Sequence, residues 1–221
     1  MSNLAEHLKT SEENRSREWD EKFFKLFSES NIRILSEDPQ QGPDGWPYLM
    51  VETLTADETD EAGSLVDSSQ KVMHWLSDKG IGLVVNPQRT PYPDYVFSYG
   101  MIWGFRETGL FIKYNALELG TQLNIEANSS IKTGPPSAEY LPPHVRRVLK
   151  DFLRDQSVNN ARVLMISVDG QHYDLCFSLE SLGSPAESEH AGILEALAWF
   201  MPPHYSLAIV SEKNIPGFES L

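Results

Sequence analysis

Apolar positions along the chain fall into a pattern that occurs twice: helix, strand, strand, helix, strand, over about 16–86 and again over about 142–210. In the first copy Trp19, Phe23, Phe24, Leu26 and Phe27 form a stripe at helical spacing behind Ser16. Residues 32–35 and 48–54 read as strands, separated by the turn-rich stretch 39–47. The acidic segment 57–61 reads as a surface loop. A second helix is expected to turn Leu65, Val72, Met73 and Leu76 inward and to end at Gly80. Residues 82–85 make the closing strand, stopped at Asn86-Pro87.

The second copy is cleaner. Pro142-Pro143 opens a helix whose Val145, Val148, Leu149, Phe152 and Leu153 fit the i, i+3, i+4 template. Residues 162–168 and 171–179 are expected to pair across Asp169-Gly170 as a two-residue hairpin. That register sets Ile166 opposite Tyr173 and Leu164 opposite Leu175 on the core face, with Ser167/His172, Met165/Asp174 and Val163/Cys176 on the other. Ser184-Pro185-Ala186-Glu187 reads as a capping box for a helix burying Ile193, Leu194, Leu197 and Phe200. Residues 206–210 close the module as a strand.

Between the copies lies an extension. Every odd position from 95 to 105 is aromatic or methionine (Tyr95, Phe97, Tyr99, Met101, Trp103, Phe105), the period of a strand with one nearly all-aromatic face. Residues 110–114 are expected to pair back on it across Thr108-Gly109. Such a face is either core or a recognition surface continuing into Tyr92. The fold class that emerges is α+β: two small modules with mainly antiparallel sheets, the first extended by this aromatic strand pair. The boundaries are a disordered arm at 1–15, an N-terminal module at 16–114, a linker at 115–141 and a C-terminal module at 142–221.

Charge narrows the function. The formal net charge is −14, which opposes binding to nucleic-acid phosphates or anionic membranes. No apolar run approaches a membrane span, and residues 1–17 lack a signal-type apolar stretch, so a cytoplasmic location is expected. The single cysteine, Cys176, rules out an internal disulfide and a cysteine-based zinc site. The six histidines show no metal-ligand spacing, and nucleotide-binding glycine loops and the hydrolase nucleophile elbow are missing, so no metal or cofactor is expected.

One catalytic set is conceivable, His172 with Asp174 and Cys176, but a strand places its ends roughly 13 Å apart where a nucleophile and base need ~3 Å. Arg146, Arg147, Lys150 and Arg154 form a basic helix face that is either a docking surface or self-paired, as Arg147 and Asp151 at i, i+4 suggest. Asn86-Pro87 reads as a strand stop or, beyond the carboxyl end of a strand, as a binding loop with Arg89 and Tyr92.

The run Gly80-Ile81-Gly82-Leu83-Val84-Val85-Asn86-Pro87, together with the aromatic helix Phe23-Phe24-Lys25-Leu26-Phe27-Ser28-Glu29-Ser30, resembles the N-terminal domain of the enhanced-serine-sensitivity (SseB-like) bacterial proteins. The second module is similar to that family's C-terminal domain, so the resemblance spans roughly 16–90 and 140–215. It implies a cytoplasmic bacterial protein with a regulatory or interaction role and supplies no catalytic residues; the aromatic strand departs from it. The resulting expectation is a non-enzymatic adaptor that binds a protein partner or itself through Asn86, Arg89, Tyr92, Tyr95, Tyr99 and Trp103. A secretion-chaperone-like binding module and a hydrolase or transferase using Cys176 are the alternatives.

Overall fold

The computed structural model describes residues 4–54, 65–111 and 131–221. It divides into two compact units, Met1–Lys113 and Tyr114–Leu221. Both are α+β, each with one mixed sheet.

In the first unit, α1 (Leu4–His7) and a single 3-10 turn (Glu12–Asn14) precede α2 (Arg17–Ser28). The strands are β1 (Asn31–Ile34), β2 (Gln40–Gln41), β3 (Pro47–Thr53) and β4 (Leu65–Ser68), followed by α3 (Ser69–Leu76), β5 (Gly82–Val85), β6 (Tyr95–Phe97) and α4 (Tyr99–Thr108). The sheet order is β4-β1-β3-β5-β6, with β2 paired to β3. Only β3 and β5 run parallel, joined through α3 as a crossover. Leu49, Val51, Leu83 and Val85 share one sheet face and form a core with the aromatic stripe of α2 and with Val72, Met73 and Leu76 of α3. Gly82 sits where no other residue fits: a Cβ there would lie 2.5 Å from the Tyr48 ring and 2.8 Å from the Phe97 carbonyl.

Three expectations fail in this unit. The aromatic stretch is not one strand. Only Tyr95–Phe97 is extended; Ser98 then caps α4 by accepting the Met101 N–H at 3.3 Å, and Gly109 at φ +70° ends it by donating to the Phe105 carbonyl at 2.7 Å. Thr108-Gly109 is therefore a helix stop rather than a hairpin turn, and the buried residues Tyr99, Ile102 and Trp103 follow helical spacing. The 110–114 pairing strand lies partly outside the described residues, as do the 57–61 loop and most of the 115–141 linker. Second, part of the stretch expected as a disordered arm is packed: Leu4 and Leu8 enter the core, and His7 stacks on Trp19 at 4.8 Å. Third, Leu65 is not on the inner face of a helix but half exposed in edge strand β4, whose neighbours Asn31–Ile34 hold it in antiparallel register.

The second unit contains β7 (Lys132–Gly134), α5 (Pro143–Asp155), β8 (Arg162–Ser167), β9 (Asp174–Ser178), α6 (Glu187–Trp199), β10 (Ser206–Val210) and β11 (Glu219–Ser220). The order is β10-β9-β8-β11, with β7 also on β8, and β9 and β10 are the parallel pair. Part of the expected linker is thus a strand of this sheet. Helix α5 buries Val145, Val148, Leu149 and Leu153 as the pattern predicts. Helix α6 starts two residues later than expected: Glu189 accepts the Ala186 N–H at 2.9 Å, and Ser184 adopts a left-handed conformation instead of capping.

The β8–β9 register is one residue off the hairpin prediction, with Met165 opposite Leu175 and Leu164 opposite Cys176. Side-chain bonds cause the slip. Asp169 accepts the N–H groups of Gln171 and His172, both at 2.8 Å, and Ser167 accepts that of Gly170 at 2.8 Å, so residues 168–173 form a longer turn than Asp-Gly alone. Cys176 consequently lies with Leu164 and Ile166, on a face covered by Ile215 and Phe218 from the C-terminal segment. Arg162 pins that segment through the Glu212 carboxylate and the Phe218 carbonyl. Cys176, expected on the face opposite Leu164 and Ile166, is thereby buried with them.

Candidate functional site

A buried polar network stands where β5 ends. Asn86 adopts φ +53°, a conformation asparagine tolerates better than most residues, and its backbone N–H donates to the Val51 carbonyl at 2.8 Å. Its buried side chain binds in three directions. Oδ1 accepts the Thr53 N–H at 2.9 Å, while Nδ2 donates to Thr53 Oγ1 at 3.0 Å and to Asp94 Oδ2 at 2.7 Å. The amide thus joins the end of β3 to the chain that returns as β6.

Asp94 is almost fully buried and gathers two arginines. Arg15 Nη2 lies 3.6 Å from Oδ1, and Arg89 Nε lies 3.4 Å from Oδ2. Arg15 also donates to the Asp94 carbonyl at 2.6 Å, and its guanidinium sits 4.3 Å from the centre of the Trp19 ring. This side chain ties the N-terminal stretch to the β6 end of the sheet. Neither Arg15 nor Asp94 was among the expected site residues; Arg15 was assigned to a disordered arm, and nothing in a Pro-Asp step signals a buried acid.

Beside this network lies a groove of about 480 Å³, walled by Trp19, Asp20, Tyr95 and Asp94, with Glu12, Tyr92 and Val96 at its rim. Tyr92 is 66% exposed and Val96 42%. Burial, and next the charge of Asp20, hold the Tyr95 phenol well above its ordinary value, with Arg15 acting the other way. Beyond β6 the sheet has no further strand among the described residues, so the groove runs along an edge. Of the six expected residues, Asn86, Arg89, Tyr92 and Tyr95 come together here. Tyr99 and Trp103 do not belong to an exposed face: both are buried in α4, and the Tyr99 hydroxyl donates to the Ser77 carbonyl at 2.7 Å. Helical geometry, with Tyr99 and Trp103 one turn apart, turns them inward together.

The other candidates separate in space or in protonation. Burial, reinforced by Asp174, pushes the Cys176 thiol up to about 12, the reverse of an activated nucleophile. His172 is on the exposed turn, its Nδ1 2.5 Å from Asp169 Oδ2. The basic face of α5 is partly consumed internally: Arg146 donates to the carbonyls of Leu141 and Pro136 at 2.9 and 2.6 Å, and Arg154 pairs with Asp151 at 2.9 Å. A second groove, of about 610 Å³, lies along β7 between Lys132, Tyr140, Met165 and Tyr173. Among the described residues there is no cluster of metal-ligating side chains, and no helix is long and apolar enough to cross a membrane.

The fold and site define a protein of two α+β units with an edge-strand groove in the first. No family model matches the chain, and no curated protein or solved structure matches it.

Proposed function

We propose that this is a non-enzymatic interaction protein that docks a protein partner along β6, in a regulatory or adaptor role of the kind its resemblance to the SseB-like family implies. The observation that carries the reading is that β6 has no further strand beside it among the described residues and runs along a groove. Backbone groups on an edge strand are available to an extended segment of a partner, and Tyr92, Tyr95 and Val96 supply apolar contacts next to them. The Asn86–Asp94–Arg15 network holds that edge in position before binding, which lowers the ordering cost that docking incurs. A cytoplasmic location and the absence of a catalytic role belong to the same proposal.

The test is a photo-crosslinking amino acid placed at Val96, with a control at Leu35, which is similarly exposed at 45% against 42%. In cells, position 96 should give a discrete protein adduct that Val96-adjacent backbone disruption (Tyr95→Pro) abolishes, and position 35 should give none. Equal labelling at both positions, or none at either, refutes the reading.

A further inference from the structure

We infer that the groove along β7 binds a small aromatic carboxylate, with its flat ring over Gly134 and Met165 and its acid group on Lys132. This site belongs to the second unit and is independent of docking at β6. The groove's volume of about 610 Å³ falls within the range of small-molecule sites, roughly 300–1,000 Å³. Its floor follows from one missing side chain. In the β7–β8 ladder Gly134 stands opposite Met165, and a Cβ built on Gly134 would meet no heavy atom within 4 Å. A larger residue would project into that space; glycine leaves it open above a nearly buried thioether.

The walls are aromatic, and one of them is fixed in place. Tyr140 stacks on Tyr205 at 4.2 Å, its carbonyl accepts the Tyr205 hydroxyl at 2.6 Å, and its N–H donates to Ser137 Oγ at 3.0 Å. Such a wall needs little further ordering when a ligand arrives. Tyr173, 42% exposed, supplies the second ring. Two phenol rings and a methionine sulfur favour a flat aromatic group between them.

The charge at the mouth selects an acid. Lys132 is exposed and forms no ion pair among the described residues, and among them no carboxylate lines the groove. Its Nζ lies over the neighbouring turn, 2.6 Å from where a Gly170 Cβ would stand. The acid of that turn, Asp169, is already committed: it accepts the N–H groups of Gln171 and His172 at 2.8 Å, and His172 Nδ1 lies 2.5 Å from it. Lys132 and Gly134 point to the same side of β7, about 7 Å apart along the strand, so a ring over the glycine carries its carboxylate to the ammonium. Burial first, then Tyr205 and Asp174, hold the Tyr140 phenol above its ordinary pKa. It stays protonated, and its hydroxyl has no hydrogen-bond partner among the described residues, which leaves a donor for the ligand.

The experiment titrates the isotope-labelled full chain with 2-naphthoate, its neutral amide 2-naphthamide, and acetate, following amide chemical shifts. The expected result is saturable shifts from 2-naphthoate at 132–140, 165 and 170–173, with none from acetate. Binding of 2-naphthoate should be about fivefold tighter than that of 2-naphthamide, the upper end for one exposed charge contact. Lys132→Gln should erase that preference and leave 2-naphthamide unchanged. Gly134→Val fills the open floor without a clash, so it should abolish binding of both compounds while leaving the thermal melt in place. Tyr173→Ala, at a half-exposed position, is the second variant and should weaken both compounds alike.

Equal binding of 2-naphthoate and 2-naphthamide overturns the carboxylate, and acetate shifts matching those of 2-naphthoate overturn the aromatic ring. Shifts elsewhere, no saturation, or binding that survives both Gly134→Val and Tyr173→Ala overturns the site. None of these outcomes touches the β6 reading, which the crosslink at Val96 tests by itself.

Discussion

Replacing Asn86 tests the site most directly, because one side chain carries both an uncommon backbone conformation and three buried hydrogen bonds. In Asn86→Ala the left-handed backbone at φ +53° costs alanine about 1 kcal/mol. The Thr53 N–H loses its acceptor in a buried strand end, a penalty of about 1–3 kcal/mol. Asp94 loses the 2.7 Å donor, and a bond to a charged group is worth about 1.5–3 kcal/mol. Water entering at the loop recovers part of this, which leaves about 3–5 kcal/mol, a large share of a small domain's stability. Asn86→Gly removes the same bonds without the backbone strain, so it should be about 1 kcal/mol less damaging than alanine. Asn86→Asp keeps an acceptor for Thr53 but sets a carboxylate against Asp94. Urea unfolding followed by tryptophan fluorescence reads this unit preferentially, because Trp19, Trp46, Trp75 and Trp103 belong to it and only Trp199 to the other. A loss below about 1 kcal/mol in Asn86→Ala, or equal losses for alanine and glycine, would refute the argument.

Four further outcomes follow from the same structure. Gly82→Ala forces a Cβ to 2.5 Å from the Tyr48 ring and 2.8 Å from a carbonyl oxygen, and thermal melts should show at least about 1–3 kcal/mol lost; an unchanged melt contradicts the packing. Tyr99→Ala empties a fully buried ring site and should cost about 3–5 kcal/mol, whereas Tyr92→Ala at the exposed rim should stay within about 0.5 kcal/mol; the reverse order would return Tyr99 to the surface. The Cys176 thiol, held near 12 by burial and by Asp174, should react with a thiol reagent no faster than the second unit opens, and rapid native-state labelling would contradict its placement. His172 is held above its ordinary pKa by Asp169, and Asp169 below its own first by His172. The histidine's contribution to stability is therefore full below its unfolded pKa and lost as pH rises through the folded one, while the aspartate's is lost as pH falls through its lowered value. Proton NMR should show Asp169→Asn returning the His172 midpoint downward, and an unmoved midpoint breaks the pairing.

The elements legible in the sequence were those with a single period and an unambiguous stop. Helix α5 is one, since prolines fix its start and four apolar residues at i, i+3, i+4 spacing fix its buried face. The stretch from Tyr95 was misread because alternate aromatics at 95–105 also place Tyr99 and Trp103 a helical turn apart. The deciding signals were Ser98 and Gly109, two caps that a period count ignores. The hairpin register slipped because a Ser167–Asp169 bonding pattern lengthened a turn whose dipeptide alone predicts two residues. The polar network at Asn86 was half legible. Asn86 and Arg89 sit in a recognisable strand-to-loop step, but their shared partner Asp94 is in turn held by Arg15, which comes from the N-terminal stretch 79 residues before it. Long-range partners of a buried polar group leave no local pattern.

The repeat read from apolar positions has a matching central topology in each unit. In each, a helix precedes an antiparallel pair, β1–β3 or β8–β9, and a second helix then carries the chain to a strand parallel to the latter partner, β5 or β10. Besides the added strands β2 and β4 in one and β7 and β11 in the other, the exit from that closing strand differs. After β10 the chain is caught by Glu180, which accepts the Ser211 hydroxyl at 2.6 Å and the Glu212 N–H at 2.9 Å. It then covers the far sheet face with Ile215 and Phe218 before β11 joins β8. That exit is consumed in making core. After β5, Asn86 turns the chain back on itself to lay β6 along the sheet, with no strand beyond it among the described residues and a groove walled by Trp19 and Tyr95 beside it. The same structural opportunity completes a core in one unit and, among the described residues, leaves an edge in the other that Asn86, Asp94 and Arg15 brace from behind, which is the feature the proposed docking of a partner strand draws on.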